Sequence, residues 1–328
     1  MERKMGLLLL AAAFSTAVFT RMAAFTVVPA IYAFGDSTTD ANFPPYGIDF
    51  RRSRPTGRYS NGYLVVDYMA KKLNFNKSPP AYLSISNDAQ ANRGVNFASG
   101  DRGQNFSISL NQQIKYFKGI TRRLRTRIGG RAAHCFLSKS LFVFSTGSND
   151  MFRFYVNFGL KNETQQQLFI GQLTGQFRNQ LETLYDLGAR KFAVFGSSLI
   201  GCVPILRLGV PGAKCVEDLN NLSQQFNRAT QIVLRDHAST LKVSPIPSST
   251  PTTSSPLFTD IVSACCGSGR LNAESECRPN STYCFNRDEY IYWDRVHPTQ
   301  ATYRLIALTA YRGRRYASPV TIKQLVGL

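Results

Sequence analysis

Short apolar runs alternate with longer amphipathic stretches along most of this chain. The runs Ala30 to Phe34, Val95 to Ala98, Leu141 to Phe144 and Phe192 to Phe195 have the length and character of buried strands. Between them lie the helical candidates Gly62 to Leu73, Leu110 to Leu124, Gln165 to Leu187 and Leu219 to Leu241, and a last helix is expected from Thr299 to about Arg312. Strands alternating with helices imply a parallel sheet covered on both faces. The expected fold is therefore α/β, a three-layer α/β/α arrangement around a central, mostly parallel sheet. In such sheets ligands bind beyond the carboxyl ends of the strands. The first three strands each run directly into a polar motif: Gly35-Asp36-Ser37, Ser99-Gly100-Asp101 and Thr146-Gly147-Ser148-Asn149-Asp150. Three motifs thus converge on one edge.

Two stretches break this pattern. The first is N-terminal: Met1-Glu2-Arg3-Lys4 precedes an apolar run from Gly6 to Thr20, with small residues at Ala23 and Ala24. That order is expected of a secretory signal peptide over residues 1–24. As a membrane anchor it falls short of the ~20 apolar residues a span needs, and Arg21 interrupts it. The second is a Ser-, Pro- and Thr-rich loop near residues 244–256, expected to be extended rather than packed. Only Leu241 to Ile246 has the character of a strand there, and the prolines after it cannot join a central ladder. With no internal repeat, residues 25–328 are read as a single domain.

A secreted chain gives the cysteines a meaning. Six of the seven, Cys202, Cys215, Cys265, Cys266, Cys277 and Cys284, crowd the C-terminal region and are disulfide candidates, whereas Cys135 stands alone and is expected free. Cys202 with Cys215 is the local pair expected, worth roughly 3 kcal/mol in the chain-entropy description. A zinc site is disfavoured because no pair has C-x-x-C spacing and His134, His237 and His297 are scattered. Sequons at Asn76, Asn105, Asn162, Asn221 and Asn280 are glycosylation candidates that agree with export. The net charge of +19 adds a basic surface, with clusters at Arg122, Arg123, Arg125 and Arg127 and at Arg312, Arg314 and Arg315. Outside the cell this suits an anionic wall polysaccharide better than nucleic acid, with a plain solvated basic face as the alternative.

The chemistry centres on Ser37 and His297. A serine hydroxyl is a poor nucleophile until a neutral histidine takes its proton. His297 alone among the histidines has a carboxylate at short fixed spacing, Asp294, able to orient it. Singly, each has a bland role: Ser37 as a helix N-cap, Asp294 and His297 as a turn before Pro298. A tetrahedral intermediate also needs donors for its oxyanion. The backbone N–H of Ser37, the backbone N–H of Gly100 and the side-chain amide of Asn149 are the natural three, although Gly100 and Asn149 are also ordinary loop and turn residues. No cofactor or metal is called for.

Four segments carrying these residues resemble the sequence blocks of the GDSL esterase/lipase family, the SGNH hydrolases, and in particular its secreted plant branch. They are Phe34 to Asp40 with Ser37, Gly94 to Gly100, the Gly147 to Asp150 segment with Asn149, and Trp293 to Thr299 with Asp294 and His297. The run ending at Pro204, the double-cysteine run from Ala264 and Phe285 to Asp294 resemble that branch too. The resemblance implies a flavodoxin-like SGNH fold and a secreted serine esterase or lipase of the apoplast or cell wall. It would cleave acyl lipid, cutin-like or acetylated polysaccharide esters as a monomer, without a cofactor. The chain departs from the family pattern at Ala41-Asn42, at Asp101-Arg102 and over residues 243–260. Two other readings stay open: an acyltransferase using the same site, and a catalytically impaired wall-binding protein.

Overall fold

The computed structural model describes residues 26–43, 46–50, 57–100, 107–160, 162–236, 242–246, 257–313, 317 and 319–328. The signal peptide expected over residues 1–24 lies outside them. Strand β1 (Ile31–Gly35) leads to a small hairpin, β2 (Ala41–Phe43) and β3 (Gly57–Arg58), and then to α1 (Val65–Lys72). There follow β4 (Gly94–Asn96), α2 (Leu110–Ile128), α3 (Gly130–Lys139), β5 (Leu141–Ser145), α4 (Ser148–Phe158), α5 (Glu163–Leu187) and β6 (Lys191–Phe195). The remainder comprises α6 (Pro204–Arg207), α7 (Glu217–Asp236), β7 (Lys242–Ile246), β8 (Asp260–Ala264), β9 (Tyr290–Tyr292), α8 (Gln300–Arg312) and α9 (Ile322–Leu325).

The central sheet has the order β4-β1-β5-β6-β7, every pair parallel. This is the flavodoxin-like order, in which the chain steps out to one side of β1 and returns to build on the other. The reversal places a crevice at the carboxyl end of β1. Strand residues alternate strictly between two cores. Ile31, Ala33, Leu141, Val143, Ala193 and Phe195 face α1, α8 and α9. Tyr32, Phe34, Phe142, Phe144, Phe192 and Val194 face α2, α3 and α5. The second face is an aromatic stack, with Phe34 centred 5.0 Å from Phe144 and 5.1 Å from Phe97. Such pairs contribute about 0.5–1.5 kcal/mol each beyond their area burial. A three-layer α/β/α fold follows from this period-two pattern.

Three features differ from the sequence expectations. Ser244, Pro245 and Ile246, which fall both in the expected Ser-, Pro- and Thr-rich loop and in the strand candidate Leu241 to Ile246, complete β7 and pair with Ala193, Val194 and Phe195. Pro245 lacks an N–H, but β7 is an edge strand, where one row of donors needs no strand partner. Residues 247–256 of that expected loop lie outside the described residues. Helix α3 was hidden because only Ala133 and Leu137 mark its buried side, and Gly129, at φ +83°, separates it from α2 by a single residue. Helix α4 was hidden because it begins inside the polar Gly147 to Asp150 motif and buries only Met151 and Phe154.

Candidate active site

Gly35 ends β1 with φ +128°, and a Cβ there would lie 1.8 Å from the Ser145 carbonyl oxygen. Only glycine lets β1 leave the sheet this close to β5. Its backbone is held at both groups by Gln113 of α2: Gly35 N–H donates to Oε1 and Nε2 donates to the Gly35 carbonyl, both at 2.8 Å. Asp36 continues the turn. Its N–H donates to the Ser145 carbonyl, and its Oδ1 accepts from the Thr38 N–H at 3.0 Å and the Thr38 hydroxyl at 2.6 Å. Burial pushes the Asp36 carboxyl above its ordinary value, against the two Thr38 hydrogen bonds and the nearby His297. Ser37 therefore sits in a tight turn rather than at a helix N-cap, and its hydroxyl points to His297.

The partner segment is built from another turn. After β9, the Trp293 N–H donates to the His297 carbonyl, closing a loop around Asp294. Asp294 Oδ1 accepts from the backbone N–H of Val296 at 2.8 Å and of His297 at 2.6 Å, while Oδ2 lies 2.8 Å from His297 Nδ1. His297 Nε2 lies 2.9 Å from Ser37 Oγ. Burial raises the Asp294 carboxyl, but the His297 charge, the ring hydrogen bond and the two backbone donors outweigh it and hold it below the ordinary value. A carboxylate on Nδ1 fixes the tautomer with its lone pair at Nε2, the atom able to accept the serine proton.

Two residues of this surround carried no signal in the sequence. The Tyr59 ring, just after β3, lies 4.7 Å from the imidazole, centroid to centroid, at an interplanar angle of 38°. Tyr59, Tyr46 and Trp293 form one buried cluster with Cys265, Cys266 and Cys277. Gln113 reads in sequence as one polar residue on an amphipathic helix. Only its burial, at 1 % exposure, marks it as a clasp.

Gly100 and Asn149 fare differently. Gly100 lies against Ser37, for a Cβ there would fall 2.8 Å from Ser37 Cβ and 2.6 Å from the Tyr59 ring. Its N–H, however, donates to Asp40 Oδ2 at 2.8 Å. The buried Asp40 carboxylate takes the amide that the sequence reading assigned to an oxyanion, so the glycine here provides close approach and not a free donor. Asn149, on the first turn of α4, lines the same cavity as Ser37 and His297. No hydrogen bond to another described residue occupies its side-chain amide or the Ser37 N–H, so both remain available as donors.

The cysteines pair as Cys202–Cys215, Cys265–Cys284 and Cys266–Cys277, leaving Cys135 free and exposed on α3. Asn76, Asn162, Asn221 and Asn280 are exposed, and Asn105 lies outside the described residues. No helix among the described residues is long and apolar enough to cross a membrane.

The profile of the GDSL-like lipase/acylhydrolase family matches residues 31–309. Among curated proteins, the chain is 36% identical to GDSL esterase/lipase At1g71691 of Arabidopsis thaliana, with 92% of this chain and 86% of the relative covered. It is 33% identical to GDSL esterase/lipase At5g55050 of the same plant, covering 91% and 90%. It is also 33% identical to the plant's GDSL esterase/lipase APG, covering 97% and 99%. With the family profile spanning nearly the whole described fold and relatives aligned over almost their full lengths, the chain belongs to the GDSL-like lipase/acylhydrolase family and is a carboxylic ester hydrolase.

Proposed function

We propose that the chain hydrolyses its ester through an acyl-enzyme on Ser37. His297 Nε2 takes the hydroxyl proton as Oγ attacks the carbonyl carbon. The resulting oxyanion is met by the Ser37 N–H and the Asn149 side-chain amide. When the C–O bond breaks, His297 returns the proton to the departing alcohol, and water repeats the sequence to release the acid. The observation that carries this reading is the 2.9 Å contact from His297 Nε2 to Ser37 Oγ, with Asp294 held behind the ring. The same contact favours an intact site over the impaired alternative. The test is rapid quenching with p-nitrophenyl acetate followed by peptide mass analysis. One acetyl group on the Ser37 peptide, formed in a stoichiometric burst, is expected. A burst on another peptide, or none with turnover intact, overturns it. Adding glycerol shows whether the acyl group passes to water or to an alcohol.

Three disulfides and exposed sequons support an extracellular protein. From Ser107 to Asn149 the chain has no acidic residue, and Lys115, Lys118, Arg122, Arg125, Arg127 and Arg131 are exposed on α2 and α3. This face supports attraction to an anionic wall polymer. Retention on immobilised polygalacturonate, weakening as salt rises, is expected, and salt-independent retention would count against it.

A further inference from the structure

Two chambers of opposite character meet at Asp36 and Asn149, beside Ser37. The smaller, about 90 Å³, is lined by Ser37 and His297, by hydroxyls such as those of Thr38 and Ser148, and over most of its surface by apolar groups that include Val65, Phe195, Ile200, Val203 and Ile306. The larger, about 250 Å³, touches neither Ser37 nor His297. It lies beyond Asp36 and Asn149, which line both chambers. Its lining is rich in hydroxyl, amide and charged groups, including Ser107, Ser109, Asn111, Arg153, Gln176 and Gln180. Gln180 is buried, and its Nε2 donates to Asn111 Oδ1 at 2.7 Å. That bond orients the two amides and leaves the Gln180 oxygen and the Asn111 Nδ2 hydrogens with no hydrogen bond to described residues. Phe177 and Phe226 complete the chamber with apolar surface.

An ester has two parts that must lie on different sides of its reacting carbon. A hydroxyl-rich alcohol entering the small chamber would lose hydrogen bonds to water against a surface that is mostly apolar. An alkyl chain entering the large chamber would cover polar groups that need partners. The opposite placement satisfies both. At ~15 Å³ for each water-sized group, the small chamber of about 90 Å³ holds about six such groups. That admits acetyl to hexanoyl chains and excludes long fatty acyl chains. We infer that the substrate is a short-chain acyl ester of a polyhydroxylated, carbohydrate-type alcohol, with the acyl group in the small chamber and the alcohol in the large one. This inference rests on Ser37 as the nucleophile.

Kinetics on p-nitrophenyl acetate, butyrate, hexanoate, octanoate and laurate test the acyl side. A fall in kcat/KM of roughly tenfold is expected once the chain exceeds hexanoate. Ile306→Ala, which deepens the chamber, should move that break to longer chains, and the milder Ile306→Val should move it less while keeping the fold. For the alcohol side, an acetylated methyl glucoside should exceed ethyl acetate by about tenfold in kcat/KM. Gln176→Ala, at an exposed position on α5, should lower the ratio of glucoside ester to p-nitrophenyl acetate turnover. An optimum at octanoate or longer, or parity between ethyl acetate and the glucoside ester, would overturn the inference and leave the esterase reading standing. Failure to turn over any ester would remove the Ser37 reading, and this inference with it.

Discussion

Ser37 and His297 meet at 2.9 Å, yet the two sides of that contact are held by different means. Ser37 follows β1, which has β4 on one side and β5 on the other. Its turn is fastened by the Gln113 clasp on Gly35, the Asp36 bond to Ser145 and Asn96 Nδ2 donating to the Thr39 carbonyl at 2.6 Å. Every one of these ties runs to the sheet or to a helix packed on it. His297 comes from a region of little regular structure, where β8 and β9 form only a two-stranded sheet. There the backbone is pinned by Cys265 and Cys266, whose N–H groups donate to Tyr292 and Trp293, and both cysteines are disulfide-bonded. The Ser37 side inherits the cooperativity of the main core, and the His297 side, the proposed base side, depends on covalent staples and an aromatic cluster. The two should therefore fail under different perturbations.

The largest effect should come from separating the base from its carboxylate. Asp294→Asn keeps an acceptor for the Val296 and His297 N–H groups but loses the charge that fixes the imidazole tautomer. A fall in kcat of ~10⁴ is expected, with the melting temperature changed far less. If kcat drops only in proportion to the folded fraction, Asp294 is a turn residue and not part of the chemistry.

The next perturbation acts on the hairpin that carries Tyr59. Arg58 donates to Asp67 through Nε and Nη2, both at 2.7 Å, and Asp67 also accepts the Leu64 N–H at the start of α1. Asp67→Asn leaves a buried guanidinium without its carboxylate, which typically costs about 3–5 kcal/mol. Burial raises the Asp67 carboxyl, but Arg58 and the hydrogen bonds prevail and hold it below its ordinary value. The sign follows. A carboxyl with a depressed folded pKa contributes stability that is fully present above its unfolded value, near ~3.9, and is lost as pH falls through the folded value. Urea midpoints measured from neutral pH down to acid should show that loss in the wild type and a shallower one in Asp67→Asn. Parallel curves would show that the ion pair carries no such linkage.

Both regions left marks in the sequence, but unequally. The apolar runs gave the first four sheet strands because each is buried on both faces, and a buried parallel strand has no polar alternation to confuse it. Asp294 and His297 were legible as a pair because they lie three residues apart, whereas Ser37, 260 residues from His297, was legible only through its own motif after β1. The Gly100 amide was misread because its acceptor, Asp40, lies 60 residues away in sequence and is brought alongside only by the pairing of β1 with β4. Tyr59 and Gln113 escaped for the same reason. Nothing in their neighbours says that one will face an imidazole and the other will grip a strand end. The final sheet strand was legible only as the candidate run Leu241 to Ile246, because the tolerance of its Pro245 depends on being at the edge, a property of the assembled sheet.

Asn149 tests the sheet-held side with a smaller expected change. If its amide meets charge that exists only in the transition state, Asn149→Ala should lower kcat by roughly 10² to 10³ and leave KM nearly unchanged. Active-site titration beside steady-state kinetics separates this from a loss of folded enzyme. Normal turnover per titrated site would reduce Asn149 to scaffold and leave the Ser37 N–H as the remaining oxyanion donor.

The smallest effect should be the most selective. The Cys266–Cys277 disulfide spans 11 residues and, by the chain-entropy description, contributes about 3 kcal/mol. Replacing both cysteines with serine removes one staple from the base side while leaving β1, β4 and β5 untouched. Cys266 and Cys277 pack with Tyr59 and Trp293, so the loosened segment is the one that sets the imidazole opposite Ser37. Local opening there should precede loss of the central sheet. On heating, the variant should lose esterase activity several degrees before its far-UV circular dichroism changes, whereas the wild type should lose both together. Hydrogen exchange should rise over residues 265–297 and stay low over residues 31–35. If activity and helical signal in the variant vanish at a single lowered temperature, the base side is part of the same cooperative unit as the sheet, and the distinction between the two regions fails.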